Sequence, residues 1–148
     1  MTNQASNKLL LIAATCCILA ALAHIGCIVF GSEWYRMLGA GEQMALMAEQ
    51  GHWYPTIVTS VIVVVLSLWA LYGLSGAGAI KPLPFLRCAL IIISSIFLLR
   101  AGAFVFLMPV FPENSQTFWF VSSSICLFIG GVFFIGTFQQ WKQLSKHN

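Results

Sequence analysis

Thr56-Ile-Val-Thr-Ser-Val-Ile-Val-Val-Val-Leu-Ser-Leu-Trp-Ala-Leu-Tyr-Gly-Leu74 contains no charged residue and no proline. A helix rises about 1.5 Å per residue, so roughly 20 apolar residues span the ~30 Å hydrocarbon core of a bilayer. Three more runs of this kind, about residues 9–30, 84–108 and 118–138, flank it on either side. Prolines fall at their edges: Pro55 before the second run, Pro82 and Pro84 opening the third, Pro109 and Pro112 ending it. None sits mid-run, where it would remove a backbone hydrogen bond. The expected fold is all-α: a single domain, residues 1–148, built as an antiparallel four-helix transmembrane bundle.

Composition agrees with a lipid solvent. The chain is 59% apolar and 7% charged, against about 25% charged in soluble domains. Seven basic and four acidic residues cannot cover a soluble surface of 148 residues. The net charge of +3 is small and the basic residues form no patch able to track phosphates, so nucleic acid is not an expected partner.

Orientation is read from lysine and arginine. Lys8, Lys81, Arg87, Lys142 and Lys146 lie on one side of the four runs; Glu33, Glu42, Glu49 and Glu113 lie on the other, where Arg36 is the exception. Both termini are therefore expected in the cytoplasm of a cell with this protein in its inner (plasma) membrane. Trp34, Tyr35, Trp53, Tyr54 and Trp119 are expected at the outer headgroups, and Trp69, Tyr72 and Trp141 at the inner ones. Ala21-Leu22-Ala23 resembles a signal-peptidase site, but the apolar run continues through Phe30, so a retained span is expected.

The first outer connection, about residues 31–55, holds Gly41-Glu-Gln-Met-Ala-Leu-Met-Ala-Glu-Gln-Gly51. Met44, Met47 and Ala48 share one helical face, which predicts a short amphipathic helix on the membrane or capping the bundle. Small residues mark the packing faces of the spans: Ala13, Cys17, Ala20, Ala21, His24, Cys27 and Gly31 on the first; Thr56, Ser60, Ser67 and Ala70 on the second; Ser122, Cys126 and Gly130 on the fourth. The five cysteines lie in apolar runs without a C-x-x-C pair and are read as packing residues.

Arg100 is the costly residue. A central arginine costs about 2.5–3.5 kcal/mol on the insertion scale, and the twelve Leu, Ile, Phe and Val residues between Leu90 and Leu107 return roughly −4 to −7 kcal/mol. The helix inserts, but the guanidinium needs polar company. His24 in the first span and Ser122 and Ser123 in the fourth reach a similar depth, with Glu33, Glu42, Glu49 and His52 above them. The expectation is one outer-half polar pocket, in which Arg100 pairs with a loop glutamate. Two readings compete: a structural pin between loop and bundle, or a site for a small anionic or lipid ligand. A metal site from His24, His52, Cys27 and glutamates is disfavoured by its spacing, and a haem on His24 more so. No cofactor is expected.

Catalytic signatures are missing. There is no G-x-S-x-G and no aspartate, and Gly76-Ala-Gly78 is too short for a phosphate loop. His24, together with Ile96-Phe-Leu-Leu-Arg100-Ala-Gly and Ser124-Ile-Cys-Leu, resembles small four-helix bacterial membrane proteins grouped as a domain of unknown function. That resemblance implies an inner-membrane location and no assigned activity. The leading expectation is a noncatalytic membrane protein that binds a small anionic or lipid ligand, or a partner protein, from the outer side. An oligomeric small-molecule transporter and a lipid-modifying enzyme using His24 and Arg100 are the alternatives; a homo-oligomer would suit the former.

Overall fold

Asn7 opens the first helix by accepting a hydrogen bond from the Leu10 amide at 3.0 Å, as a side-chain N-cap does. The structure is a computed structural model and describes residues 6–144. Lys146, used above for orientation, lies outside the described residues. The helices are α1 (Lys8–Phe30), α2 (Ser32–Met37), α3 (Glu42–Glu49), α4 (Trp53–Gly76), α5 (Leu86–Gly102), α6 (Phe104–Leu107), α7 (Gln116–Gln139) and α8 (Trp141–Leu144). Among the described residues there is no strand. Helices α1, α4 and α7, of 23, 24 and 24 residues, are long and apolar enough to cross a membrane. Their outward surfaces agree: Val29, Leu22, Val61, Phe120 and Leu127 are all exposed, a continuous apolar coat that water would not tolerate. This is a membrane protein.

The long helices meet at close approaches to glycine. A Cβ on Gly73 would come within 3.0 Å of Ala14, one on Gly76 within 2.7 Å of Leu90, and one on Gly136 within 2.8 Å of Leu10. With so little side chain between them, α1 packs on both α4 and α7. The α5–α7 pair closes around Phe97, whose ring lies 6.2 Å from Phe133 and 5.1 Å from Trp69 of α4. Leu10, Cys17, Leu90, Phe97 and Phe133 form the centre of the core.

The first span's small face is buried as expected, at Ala13, Cys17, Ala21 and Cys27, with Ile18, Leu22, Ile25 and Val29 facing out. Two expected stripes are corrected. On α4 the inward face is Thr59, Leu66, Ala70 and Gly73, while Ser60 and Ser67 face out. Ser67 tolerates this by donating its hydroxyl to the Val63 carbonyl at 2.8 Å, so no polar hydrogen is left bare. On α7 Gly130 is buried and Cys126 packs against the core as expected, but the buried serine is Ser123, with Ser122 only half-buried.

The third apolar run is not one straight helix. α5 stops at Gly102, and the amides of Phe106 and Leu107 both turn back to the Ala103 carbonyl to start α6. The first connection holds two helices where one was expected. Gly31, at φ +76°, reverses the chain so that α2 lies back on α1, with the Trp34 ring filling the notch at Gly26 and stacking on Phe30 at 4.8 Å. Tyr35 (2% exposed) and Trp119 (3% exposed) are therefore interior residues, not headgroup anchors; Trp53 and Tyr54 do face out.

Candidate functional site

Arg36 organises the capped end. Three residues after Glu33 on α2, it meets that carboxylate at 3.0 Å by helical spacing. The α2–α3 turn then brings α3 alongside, so that Nε and Nη2 hold Glu42 at 2.9 and 2.7 Å and Nη1 holds Glu49 at 2.8 Å. Hydrogen bonds from Arg36 hold the Glu42 and Glu49 carboxyls below the usual range, and the same bonds hold the guanidinium's pKa above its ordinary value. Glu113 Oε1 accepts the first amide of α3, that of Glu42, at 3.2 Å, and Asn114 donates to the Gly39 carbonyl at 3.1 Å. The two connections at this end are thus tied into one lid. Beneath it, the Thr59 hydroxyl donates to Tyr35 Oη at 3.1 Å.

Arg36 therefore takes the glutamates that the sequence offers to Arg100. Among the described residues Arg100 forms no ion pair, and its Nη1 is enclosed without a hydrogen-bond partner. The guanidinium instead lies 5.5 Å from the centre of the Trp119 ring, on the electron-rich face that attracts a cation. It sits in the last turn of α5, where the helix dipole favours positive charge. One turn along α7 from Trp119, Ser123 is 7% exposed and its Oγ also lacks a partner. A donor and a hydroxyl, both enclosed and both unspent, thus flank one indole.

His24 is half-buried on the inward side of α1. Its Nδ1–H donates to the Ala20 carbonyl at 2.7 Å. The Leu10–Gly136 approach sets the register of α1 against α7, and moving fourteen positions along each helix brings His24 level with Ser122. Ser122 itself bonds back to the Trp119 carbonyl at 3.3 Å. No hydrogen bond joins His24 to Arg100 among the described residues.

His52 stands apart. It precedes α4, contacts Gln50 Oε1 at 3.2 Å, and lines a cavity of about 250 Å³ with Cys27, Tyr35, Ala48, Trp53 and Thr56. The eight residues expected in one pocket thus divide three ways: Glu33, Glu42 and Glu49 on the lid with Arg36; Arg100 and Ser123 below it, with His24 and Ser122 level with them; His52 beside the lid. Among the described residues no group of three or more His, Cys, Asp or Glu side chains is placed to hold a metal.

No family model, curated protein or solved structure matches this chain. The site must be read from its own chemistry. Sequence reasoning left Arg36 and Glu113 undecided and placed Trp119 at the headgroups. The Glu33–Arg36 spacing was the available signal for the first; nothing in one sequence marks which face of α7 carries Trp119 inward.

Proposed function

We propose that the protein is a noncatalytic four-span membrane protein that binds an anionic group, a lipid phosphate or a free carboxylate or phosphate, at Arg100 and Ser123. The fourth crossing is α5 with its continuation α6, Leu86 to Leu107, 22 residues and about 33 Å of rise. One observation carries the ligand: Arg100 Nη1 is enclosed without an acceptor while every glutamate at that end is committed elsewhere. An unmet guanidinium donor in low dielectric is costly, and an anion is the group that satisfies it with charge-assisted bonds. The Ser123 hydroxyl supplies a further donor on the facing helix. Acidic residues at one end and basic residues at the other support cytoplasmic termini in a bacterial plasma membrane, in keeping with the resemblance drawn from His24 and the Arg100 segment.

Native mass spectrometry of the detergent-purified protein tests this reading. A small retained mass is expected in the wild type and lost in Arg100→Gln, with helicity and elution volume unchanged. A lipid mass identifies a headgroup; a mass too small for a lipid identifies a free anion. A folded Arg100→Gln that keeps the same adduct overturns the proposal, as does a folded wild type that carries none and is not stabilised by added phosphatidic acid or inorganic phosphate.

A further inference from the structure

The opposite end of the molecule carries a second arrangement, independent of Arg100. The Arg87 guanidinium lies flat on Trp141, its carbon 3.8 Å from the ring centre. Trp141 stacks on Phe138 at 5.6 Å with only 13° between planes, and Phe138 meets Phe134 at 4.7 Å. The result is a file of three aromatic rings that runs from Trp141 of α8, under the Arg87 cation, onto Phe138 and Phe134 on the outer face of α7. Phe134 and Phe138 are both exposed, so the file faces the surroundings of the bundle and not its core.

The cation–π contact uses the face of the guanidinium carbon and does not consume its N–H groups as hydrogen-bond donors. Among the described residues they have no hydrogen-bond or ion-pair partner. A planar fork with its edge unspent matches two oxygens of a phosphate. Charge at this end is one-sided: Lys8, Lys81, Arg87 and Lys142 lie here, whereas Glu33, Glu42, Glu49 and Glu113 lie at the lid. The connection between α4 and α5 is held rigid, because Ser75 Oγ donates to the Lys81 carbonyl at 3.1 Å and accepts from the Leu83 amide at 2.9 Å. Phe85, 76% exposed, is held at φ +52°, a left-handed conformation uncommon for a bulky residue, and presents its ring outward beside Arg87.

We infer that Arg87 and Trp141 form a binding site for an anionic phospholipid of the adjoining leaflet, with the phosphate on the guanidinium edge and an acyl chain along Phe138 and Phe134. The aromatic file is what selects a lipid over a free phosphate: it offers nothing to a small anion, but gives a hydrocarbon chain a continuous apolar track.

The test uses the full chain in a maltoside detergent, titrated with phosphatidylglycerol, phosphatidylcholine or inorganic phosphate, and read by thermal unfolding and native mass spectrometry. Phosphatidylglycerol is expected to raise the unfolding temperature and to remain bound, with the other two much weaker. Arg87→Gln should lower the phosphatidylglycerol affinity about tenfold or more, and Arg87→Lys less, because lysine keeps the charge but not the stacked fork. Arg87→Gln should lower the affinity by the same factor in an Arg100→Gln background, which separates this site from the one at Arg100. Should Arg87→Gln fail to fold, the exposed Lys81→Gln replaces it, with a loss of about fivefold expected from one surface charge. Wild-type affinity in whichever of these folds overturns the inference; so does a loss in that variant as large for phosphatidylcholine, or for inorganic phosphate, as for phosphatidylglycerol, the last of which would make this a free-anion site.

Discussion

Arg36 and Arg100 are the same side chain under opposite conditions. Arg36 stands half-buried with three carboxylates around it; Arg100, also half-buried, has its Nη1 enclosed and an indole for company but no carboxylate. Removing Arg36 leaves three acidic groups facing one another, so Arg36→Gln should loosen α2 and α3 while the long helices persist. Amide exchange in residues 32–49 should quicken severalfold with little change in α4 or α7. The pH dependence follows from the same bonds. Glu42 and Glu49 have folded-state pKa values below their unfolded ones, so their contribution is complete above the ordinary carboxylate range and fades as pH falls through the depressed values. Trp34, packed at Gly26 under this lid, reports the change: its fluorescence should shift as pH drops below about 4, and that shift should be absent in Arg36→Gln. Ser123 gives a converse prediction. Its unmet hydroxyl costs free energy in the ligand-free protein, so Ser123→Ala should raise stability by about 1 kcal/mol in detergent without ligand. If the anion site is as proposed, the same variant should bind more weakly. Denaturant titrations with and without phosphatidic acid separate the two effects.

Helix packing here turns on where side chains are missing. A methyl at Gly136 would meet Leu10 at 2.8 Å, with the Leu10 backbone close behind, while one at Gly131 on the same helix would meet nothing within 4 Å. Gly136→Ala should therefore destabilise by about 1–3 kcal/mol through overpacking, and Gly131→Ala should be neutral or stabilising by up to about 1 kcal/mol. Unfolding by increasing fractions of a denaturing detergent would measure both. The contrast also explains what could be read beforehand. Run lengths located α1, α4 and α7, and the small face of α1 was legible because its opposite face is all large and apolar. The face of α4 was not, and that of α7 only in part, since a serine that bonds its own helix's carbonyl, as Ser67 does, sits in lipid as readily as in an interface. The break after Gly102 was hidden inside an unbroken apolar run. The lid was half legible: Glu33–Arg36 is a local spacing, but the meeting of Arg36 with Glu42 and Glu49 depends on turns at Gly31, Gly39 and Gly41, each at positive φ, which periodicity does not encode.

Charge is sorted along the long axis of the protein more sharply than any pair of contacts requires. At the lid lie four carboxylates, three of them on Arg36 and the fourth, Glu113, on the Glu42 amide; at the other end lie the basic residues Lys8, Lys81, Arg87 and Lys142. Such sorting directs insertion, because basic segments resist translocation. It makes a definite statement about cells. Cys88 lies exposed at the basic end, next to Arg87, and serves as a native reporter there. Gln43, exposed on α3, supplies the opposite reporter as Gln43→Cys in a Cys88→Ser background. An impermeant maleimide applied to intact cells should label Gln43→Cys and leave Cys88 untouched, and breaking the membrane should expose Cys88. Four crossings require this pattern to hold together with labelling of a cysteine placed at Asn114 from the same side as Gln43, since α5 and α6 must carry the chain back across. Labelling of residue 114 from the side of Cys88 would mean that α5 does not cross, and that the lid seen between Gly39, Glu42, Glu113 and Asn114 does not form in the membrane.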